Sequence, residues 1–283
     1  MTDVGTAGGH LYTARDGLVV LGPELVQAME LLERRFTEWA YACGAVPMTY
    51  PVLMRTTDLA SLDYFDNFPH LALLAAPLRV GPSGAEVPQD GIVPGERLGD
   101  SVYALASAAC YNVYLHARGD RLTDPRYVTT VARCFRNEDH YDGLRRLHGF
   151  TMREIVCVGS REAVQAHLAA FKPKVAAYAQ RLGLKLEVQA ASDPFFAKDG
   201  GRALMAQLFP VKEEFVHDGS LAIASLNFHR NFFGERCDIA LPDGSPAFSG
   251  CVAFGLERWL AALIETRPDI DDVLAALAEA ARD

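Results

Sequence analysis

The stretch from Tyr127 to Val158, YVTTVARCFRNEDHYDGLRRLHGFTMREIVCV, limits what this chain can fold into more than any other. It reads as two strands joined by a charged loop. The first strand ends on Arg136, and the second carries Phe150, Met152, Glu154 and Val156 at alternate positions. Strict alternation over such a run marks a half-buried strand. Residues Glu138 to Leu147 are too polar and too many for a tight hairpin turn, and connections of that length in compact domains are usually functional or mobile. Side chains two apart in a strand share a face. Phe150, Met152 and Glu154 therefore point the same way, towards Arg136 and Glu138 on the facing strand end. Such a set makes a poor hydrophobic core and a good floor for a flat polyanion. The Arg136 guanidinium can fork onto a phosphate, and a purine can stack on Phe150. An amphipathic hairpin with its polar face in water fits the composition equally well.

The 283 residues, half of them hydrophobic, supply a sizeable core for one large domain or two modest ones. The net charge of −9 argues against a general nucleic-acid binder and leaves room for a local basic patch. No basic head precedes an apolar run at the N-terminus, and no apolar stretch reaches membrane-spanning length. The expectation is a cytoplasmic protein that does not enter a membrane. The six cysteines lack close CxxC pairs and read as reduced thiols, with metal ligation open to some of them.

Residues 1–22 are Gly-rich and expected to be a flexible N-terminus. Pro23 suits a first helical turn, and Leu25, Met29, Leu32, Phe36 and Ala40 line one helical face that Gly44 can end. A strand segment containing Pro47 and Pro51 follows. Residues 54–80 read as core, and 81–98 as an exposed loop or lid. Small residues from Ala104 to Ala109 mark a place where another group comes close. Ser160 is a fair N-cap for a helix with Val164, His167, Leu168 and Phe171 on its stripe, which Pro173 is expected to kink or split. Strands are expected at Leu184–Ala190, Leu221–His229 and Arg236–Leu241, and helices at Trp259–Thr266 and from about Ile270. Between them, residues 192–212 read as a loop and short helix bearing Lys198, Arg202 and Lys212.

Phe135-Arg136-Asn137-Glu138, the loop, and then His148-Gly149-Phe150-Thr151-Met152-Arg153-Glu154 resemble motif 2 of the class II aminoacyl-tRNA synthetases. Gly250-Cys251-Val252-Ala253-Phe254-Gly255-Leu256-Glu257-Arg258 resembles their motif 3, and the helix from Pro23 with the strand after it is similar to the degenerate motif 1. The resemblance runs from about Pro23 to the end. It implies a single catalytic domain over 23–283, of α+β class, with a mostly antiparallel sheet flanked by helices, and a homodimer joined through motif 1. It also implies roles. Arg136 would contact the amino acid carboxylate and the α-phosphate of ATP, and Glu138 the adenine amino group. Phe150 and Arg258 would sandwich the adenine. Arg145 and Arg146 would reach the terminal phosphates, although a solvated loop accounts for these two equally well.

Cys110, Glu154 and Cys251 fall in or at the end of strands expected to be central, and all three are competent zinc ligands. Three protein ligands leave one tetrahedral position free, the arrangement of a working zinc rather than a structural one. A lone buried cysteine is more often a packing residue, and Cys43, Cys134, Cys157 and Cys237 are read so. The trio resembles the zinc site of the atypical seryl-tRNA synthetases of methanogens and of their truncated relatives, the amino acid:[carrier protein] ligases. Only residues 1–22 precede the motif 1 helix, and no basic block replaces a tRNA-binding domain, so no tRNA is expected. Ser225-Leu226-Asn227-Phe228-His229-Arg230-Asn231-Phe232-Phe233-Gly234 is similar to the ligase version of the strand before motif 3.

The resemblance therefore implies ATP, with Mg2+, activating glycine or alanine as an adenylate. The aminoacyl group would pass to the phosphopantetheine thiol of a small acidic carrier protein. Serine stays open, since one methylene is worth only about 1–3 kcal/mol in an apolar pocket. Lys198, Arg202 and Lys212 are the candidates for docking the carrier, against the plainer alternative of a solvated helix. Two departures stand out. Ala253 occupies the second glycine position of motif 3, and no acidic residue lies between Asp218 and Glu235, where synthetases carry a magnesium-binding glutamate. A minimal seryl-type tRNA synthetase and a non-catalytic amino-acid sensor are the alternatives. The intact Arg136, Glu138, Phe150 and Arg258 speak against the sensor.

Overall fold

Alternating side chains around Glu154 produce an interior strand of a seven-stranded sheet. The computed structural model describes residues 11–81, 90–191, 196 and 211–281. In chain order the elements are β1 (Tyr12–Arg15), β2 (Leu18–Leu21), α1 (Pro23–Ala42), β3 (Val46–Pro47), β4 (Leu53–Arg55), α2 (Thr56–Ser61), α3 (Tyr64–Asn67), β5 (Leu74–Ala75) and β6 (Tyr103–Leu105). Then come α4 (Tyr111–His116), β7 (Arg126–Phe135), β8 (Gly149–Gly159), α5 (Arg161–Arg181), β9 (Leu186–Ala191), β10 (Lys212–His217) and β11 (Leu221–Arg230). The chain ends with α6 (Phe232–Arg236), β12 (Phe248–Gly255), α7 (Leu256–Thr266) and α8 (Ile270–Ala280).

The large sheet runs β3-β7-β8-β12-β11-β10-β9, antiparallel throughout except for the short parallel pair β3–β7. Its register creates two rows across four strands. One is Val156–Cys251–Asn227–Lys212, and the next is Glu154–Ala253–Ser225–Glu214. Alternate residues point to the other face, where Ile155, Val252, Phe254, Leu226 and Phe215 are buried under α1, α5, α7 and α8. Phe36 of α1 stacks on Phe254 with centroids 4.0 Å apart, and Trp259 is fully buried beside them. Each large side chain so buried contributes about 1.5–3 kcal/mol. The apolar stripe of α1 is the one its spacing predicts, and buried Arg35 ties the helix to the chain end by donating to Ala280 O at 2.6 Å. Ser160 caps α5, accepting from Ala163 N, and α5 continues across Pro173 as one helix held by the burial of Phe171, Val175 and Tyr178.

Three segments differ from expectation or extend it. Residues 12–21, expected to be flexible, form the hairpin β1–β2, turned by Asp16 and Gly17 at φ 52° and 74°. Two left-handed residues in succession are the signature of the tight turn that matches strand twist. Gly17 O accepts from His148 N at 2.9 Å, and a Cβ on Gly17 would come within 2.3 Å of the Tyr141 ring. The hairpin is thus packed against the loop between β7 and β8. Arg236–Leu241 is not a strand: Arg236 ends α6, Asp238 has φ 50°, and only isolated bridges form at Ala240. A left-handed residue cannot continue an extended run. Residues 54–80 join Ala104 and Ala106 in a separate small core at the sheet β4-β6-β5, through Met54, Leu59 and Tyr64. Among the described residues, no helix is long and apolar enough to cross a membrane.

Candidate active site

The face of the sheet away from α1 carries the side chains singled out above. Arg136 follows the last residue of β7 and extends its pairing, donating from its backbone N to His148 O at 3.0 Å. Its guanidinium lies 5.0 Å from the centroid of the Phe150 ring, while Nε and Nη2 both donate to Ser107 O at 3.2 Å. In the first turn of α7, Arg258 donates from Nε to Arg145 O (2.9 Å) and from Nη1 to Ala222 O (3.1 Å). Burial and then the neighbouring Arg136 charge lower its pKa to about 10, against the opposing pull of Glu214. Glu257 is buried and accepts from Thr151 N (2.7 Å), Thr151 Oγ1 (2.9 Å) and Arg133 Nη1 (2.9 Å), which pins α7 to β8. Burial raises its pKa.

The loop residues are engaged as well. Glu138 Oε2 accepts from Arg146 Nη1 at 2.9 Å, and Arg145 reaches Glu265 (2.7 Å) and Ser220 (2.8 Å). Arg136, Glu138, Arg145, Phe150, Glu214 and Arg258 line a cavity of only about 90 Å³. Small-ligand pockets usually measure about 300 Å³ or more. The guanidinium stacked on Phe150 fills part of the space that a flat ring would take.

Deeper along the same face, Cys110 and Cys251 form a close group with His229, and the expected third member, Glu154, lies beside that group rather than within it. Ligand atoms of Cys110, His229 and Cys251 all lie within 4.8 Å of one another. Glu154 is 1% exposed; its Oε1 accepts from Ala109 N (3.0 Å) and Cys110 N (3.2 Å), and its Oε2 has no nitrogen or oxygen donor among the described residues and faces the two cysteine thiols. The hydrogen bond to Cys251, followed by burial and the Glu154 charge, pushes the Cys110 thiol well above its ordinary pKa. For Cys251 the Cys110 hydrogen bond pulls down, but burial and Glu154 outweigh it and leave the thiol raised to about 11. Asn227 Nδ2 points at Cys251 Sγ from 3.4 Å. His229 Nδ1 lies 3.1 Å from Tyr114 Oη, and its Nε2 lies 3.9 Å from Cys251 Sγ.

This group fits a zinc ion. A buried polar atom without a partner costs about 1–3 kcal/mol, and a cation beside Glu154 Oε2 removes that cost. The same cation favours thiolate over thiol at both cysteines. Two sulfurs and a third ligand, the Glu154 carboxylate or the His229 imidazole, form a donor set suited to zinc that leaves one tetrahedral position open. His229 was not anticipated. Its signal was present: Ser225, Asn227 and His229 alternate along β11, so the histidine shares the face of the asparagine that points at Cys251.

A second cavity of about 620 Å³ opens around these residues, with Tyr64, Phe68, Tyr111 and Phe233 on its apolar side. It joins the smaller cavity through a wall common to both, made of Arg136, Met152, Lys212, Ser225 and Ala253. Lys212, expected on a carrier-docking surface, is inside the site instead. Its side chain is 17% exposed and its Nζ lies 3.0 Å from Glu214 Oε1. The register explains this, since Lys212 pairs with Asn227 and so shares the site face. Lys198 and Arg202 lie outside the described residues.

No protein-family profile matches the chain. Amino acid--[acyl-carrier-protein] ligase 1 of Bradyrhizobium diazoefficiens is 32% identical over 244 residues, which cover 79% of this chain and 72% of that protein. Ligase 2 of the same organism is 31% identical over 236 residues, covering 77% and 69%. Among solved structures, the seryl-tRNA synthetase of M. kandleri, in complex with A. aeolicus tRNASec, matches with a TM-score of 0.79 at 20% identity. That match covers 95% of this chain and 58% of the synthetase chain. The seryl-tRNA synthetase of Pyrococcus horikoshii complexed with ATP matches at 0.68 and 14% identity, covering 94% and 57%. At these identities the solved structures speak for the fold, which is that of a class II synthetase catalytic domain, and this chain spans less than two thirds of either.

Proposed function

The chain belongs to the amino acid--[acyl-carrier-protein] ligases, and from that membership we propose that it activates a small amino acid with ATP and loads it onto a carrier protein. The observation that carries this reading is the shared wall. Phe150 and Arg258 line one cavity and the Cys110–His229–Cys251 group lines the adjoining one, with Arg136 common to both, which supports this reading. An amino acid seated by its amino group beside Cys110 and Cys251 presents its carboxylate towards that wall.

In the first step a carboxylate oxygen attacks the α-phosphorus of ATP, the bond to the β-phosphate oxygen breaks, and pyrophosphate leaves with the electron pair. The chain positions and neutralises rather than reacting covalently. Arg136 leaves Ser107 O and the Phe150 ring and forks onto the α-phosphate and the carboxylate. Phe150 and Arg258 then hold the adenine from its two sides, by stacking and by cation–π contact. Glu138 accepts from the adenine amino group. Arg145 and Arg146 exchange Glu265 and Glu138 for the terminal phosphates. A zinc ion held by Cys110, Glu154 and Cys251 supplies, when bound, a Lewis acid for the free amino group of the substrate. In the second step the pantetheine thiolate attacks the adenylate carbonyl, AMP leaves, and a thioester forms.

Glycine or alanine is the substrate in this reading. The cavity of about 620 Å³ has to admit the pantetheine arm as well as the amino acid, so its size is no argument for a larger side chain. Dimerisation through motif 1 is supported by Val26 and Tyr41 of α1 and Val46 of β3, which are 42%, 54% and 56% exposed. The test is amino acid-dependent ATP–pyrophosphate exchange with glycine, alanine and serine, followed by transfer to a pantetheinylated carrier and, separately, to tRNA. Exchange with loading of the carrier and not of tRNA is expected. Loading of tRNA, or no exchange with any amino acid, overturns the reading.

A further inference from the structure

A nucleotide triphosphate is handled by enzymes as its magnesium complex, and magnesium asks the protein for one or two carboxylates beside the phosphates. Strand β11 offers Ala222, Ile223, Ala224 and Ser225 to the nucleotide cavity, and none is acidic. Among the described residues, the carboxylates lining that cavity are Glu138, Glu214 and Glu257. Glu257 is 1% exposed and accepts from three donors. Glu138, paired with Arg146 here, is the acceptor for the adenine amino group in the proposed activation. Glu214 is placed differently. It stands on β10 in direct register with Ser225, on the face that lines the cavity.

Neighbouring strands lie about 4.8 Å apart, so the Glu214 carboxylate and the Ser225 hydroxyl start from adjacent backbones and project into the same space. That is within reach of one ion bound at about 2.1 Å from each oxygen. A cation already stands at this carboxylate, since Lys212 Nζ is 3.0 Å from Glu214 Oε1. The donor set fits magnesium: a hard carboxylate and a hydroxyl, with phosphate oxygens and water to complete six positions. We propose that Glu214, with Ser225, holds the magnesium ion that accompanies ATP, taking from β10 the carboxylate that β11 lacks. On binding, the Lys212 ammonium moves from Glu214 to the phosphates at the wall between the cavities. This rests on the proposed ATP-dependent activation.

The test uses the full-length protein, Mn2+ in place of Mg2+, and a non-hydrolysable ATP analogue. Mn2+ bound in the ternary complex is read from the loss of the free-ion electron paramagnetic resonance signal, and analogue binding by calorimetry with and without metal. The wild type is expected to bind Mn2+ together with the analogue. Glu214→Gln should weaken Mn2+ in the ternary complex by about tenfold or more while still binding the metal-free analogue, which also certifies the fold. Glu214→Asp, a shorter carboxylate, should restore part of the metal binding. Equal Mn2+ binding by wild type and Glu214→Gln overturns this assignment alone. A wild type that binds no analogue overturns the ATP-dependent reading beneath it as well.

Discussion

Glutamine in place of Glu154 keeps the size of the side chain and alters one function. Oε1 can go on accepting from Ala109 N and Cys110 N. The change falls on Oε2, the buried oxygen without a nitrogen or oxygen donor among the described residues, which becomes a neutral amide nitrogen unable to bind metal. Zinc bound by four ligands in small domains is worth about 10–16 kcal/mol, so about 3 kcal/mol falls to each ligand if they share evenly. Losing one then raises the zinc Kd about a hundredfold, since 1.4 kcal/mol is tenfold. With free zinc at a hundred times the wild-type Kd, the metal stabilises the wild type by about 2.7 kcal/mol and the variant by about 0.4. At about 2–4 °C per kcal/mol for a chain of this class, the zinc-dependent rise in Tm shrinks by about 5–9 °C. Chelator-stripped protein melted at graded zinc concentrations reads the shift, and competition with a chromophoric chelator reads the Kd. A Glu154→Gln Kd within about threefold of wild type refutes the reasoning. The third ligand would then be His229, whose replacement by alanine would take over the loss.

Arg136→Ala should lower ATP–pyrophosphate exchange by about a hundredfold or more, as expected when a positioning clamp is lost, with zinc content unchanged by metal analysis. At Gly234, Cβ would stand 2.1 Å from Ala247 O. Gly234→Ala should therefore cost about 1–3 kcal/mol, seen as a lower urea midpoint. Burial lowers the pKa of His167 below 6.5, and its Nε2 lies 3.3 Å from Ile155 O. Below pH 6.5 the unfolded chain binds this proton more readily than the native state, so stability falls as pH drops. Urea unfolding at pH 7.5 and 5.5 should show the decline, and His167→Gln should flatten it.

Much of this was legible because alternation on β8 assigns Phe150, Met152 and Glu154 to one face without knowledge of partners. The meeting of Cys110 with Cys251 has no spacing to read, and only a family likeness brought the two together. Lys212 lines the site and not a surface helix, for a physical reason. A lysine closing a segment that reads as a loop and short helix suggests solvent, yet counting along β10 assigns Lys212 and Glu214 to the site face, while Glu213 reaches Lys172 of α5 at 2.6 Å. His229 was missed in the same way, by reading β11 as small residues and not by parity. The turn at Asp16-Gly17 carried a hairpin signal that the glycine-rich composition around it obscured.

That hairpin alters where the working unit starts. Leaning on Tyr141 and His148 from outside, it acts as a strut for the segment that carries Glu138, Arg145 and Arg146. A version trimmed back to Pro23 keeps every residue assigned to chemistry and discards the brace that holds three of them in place.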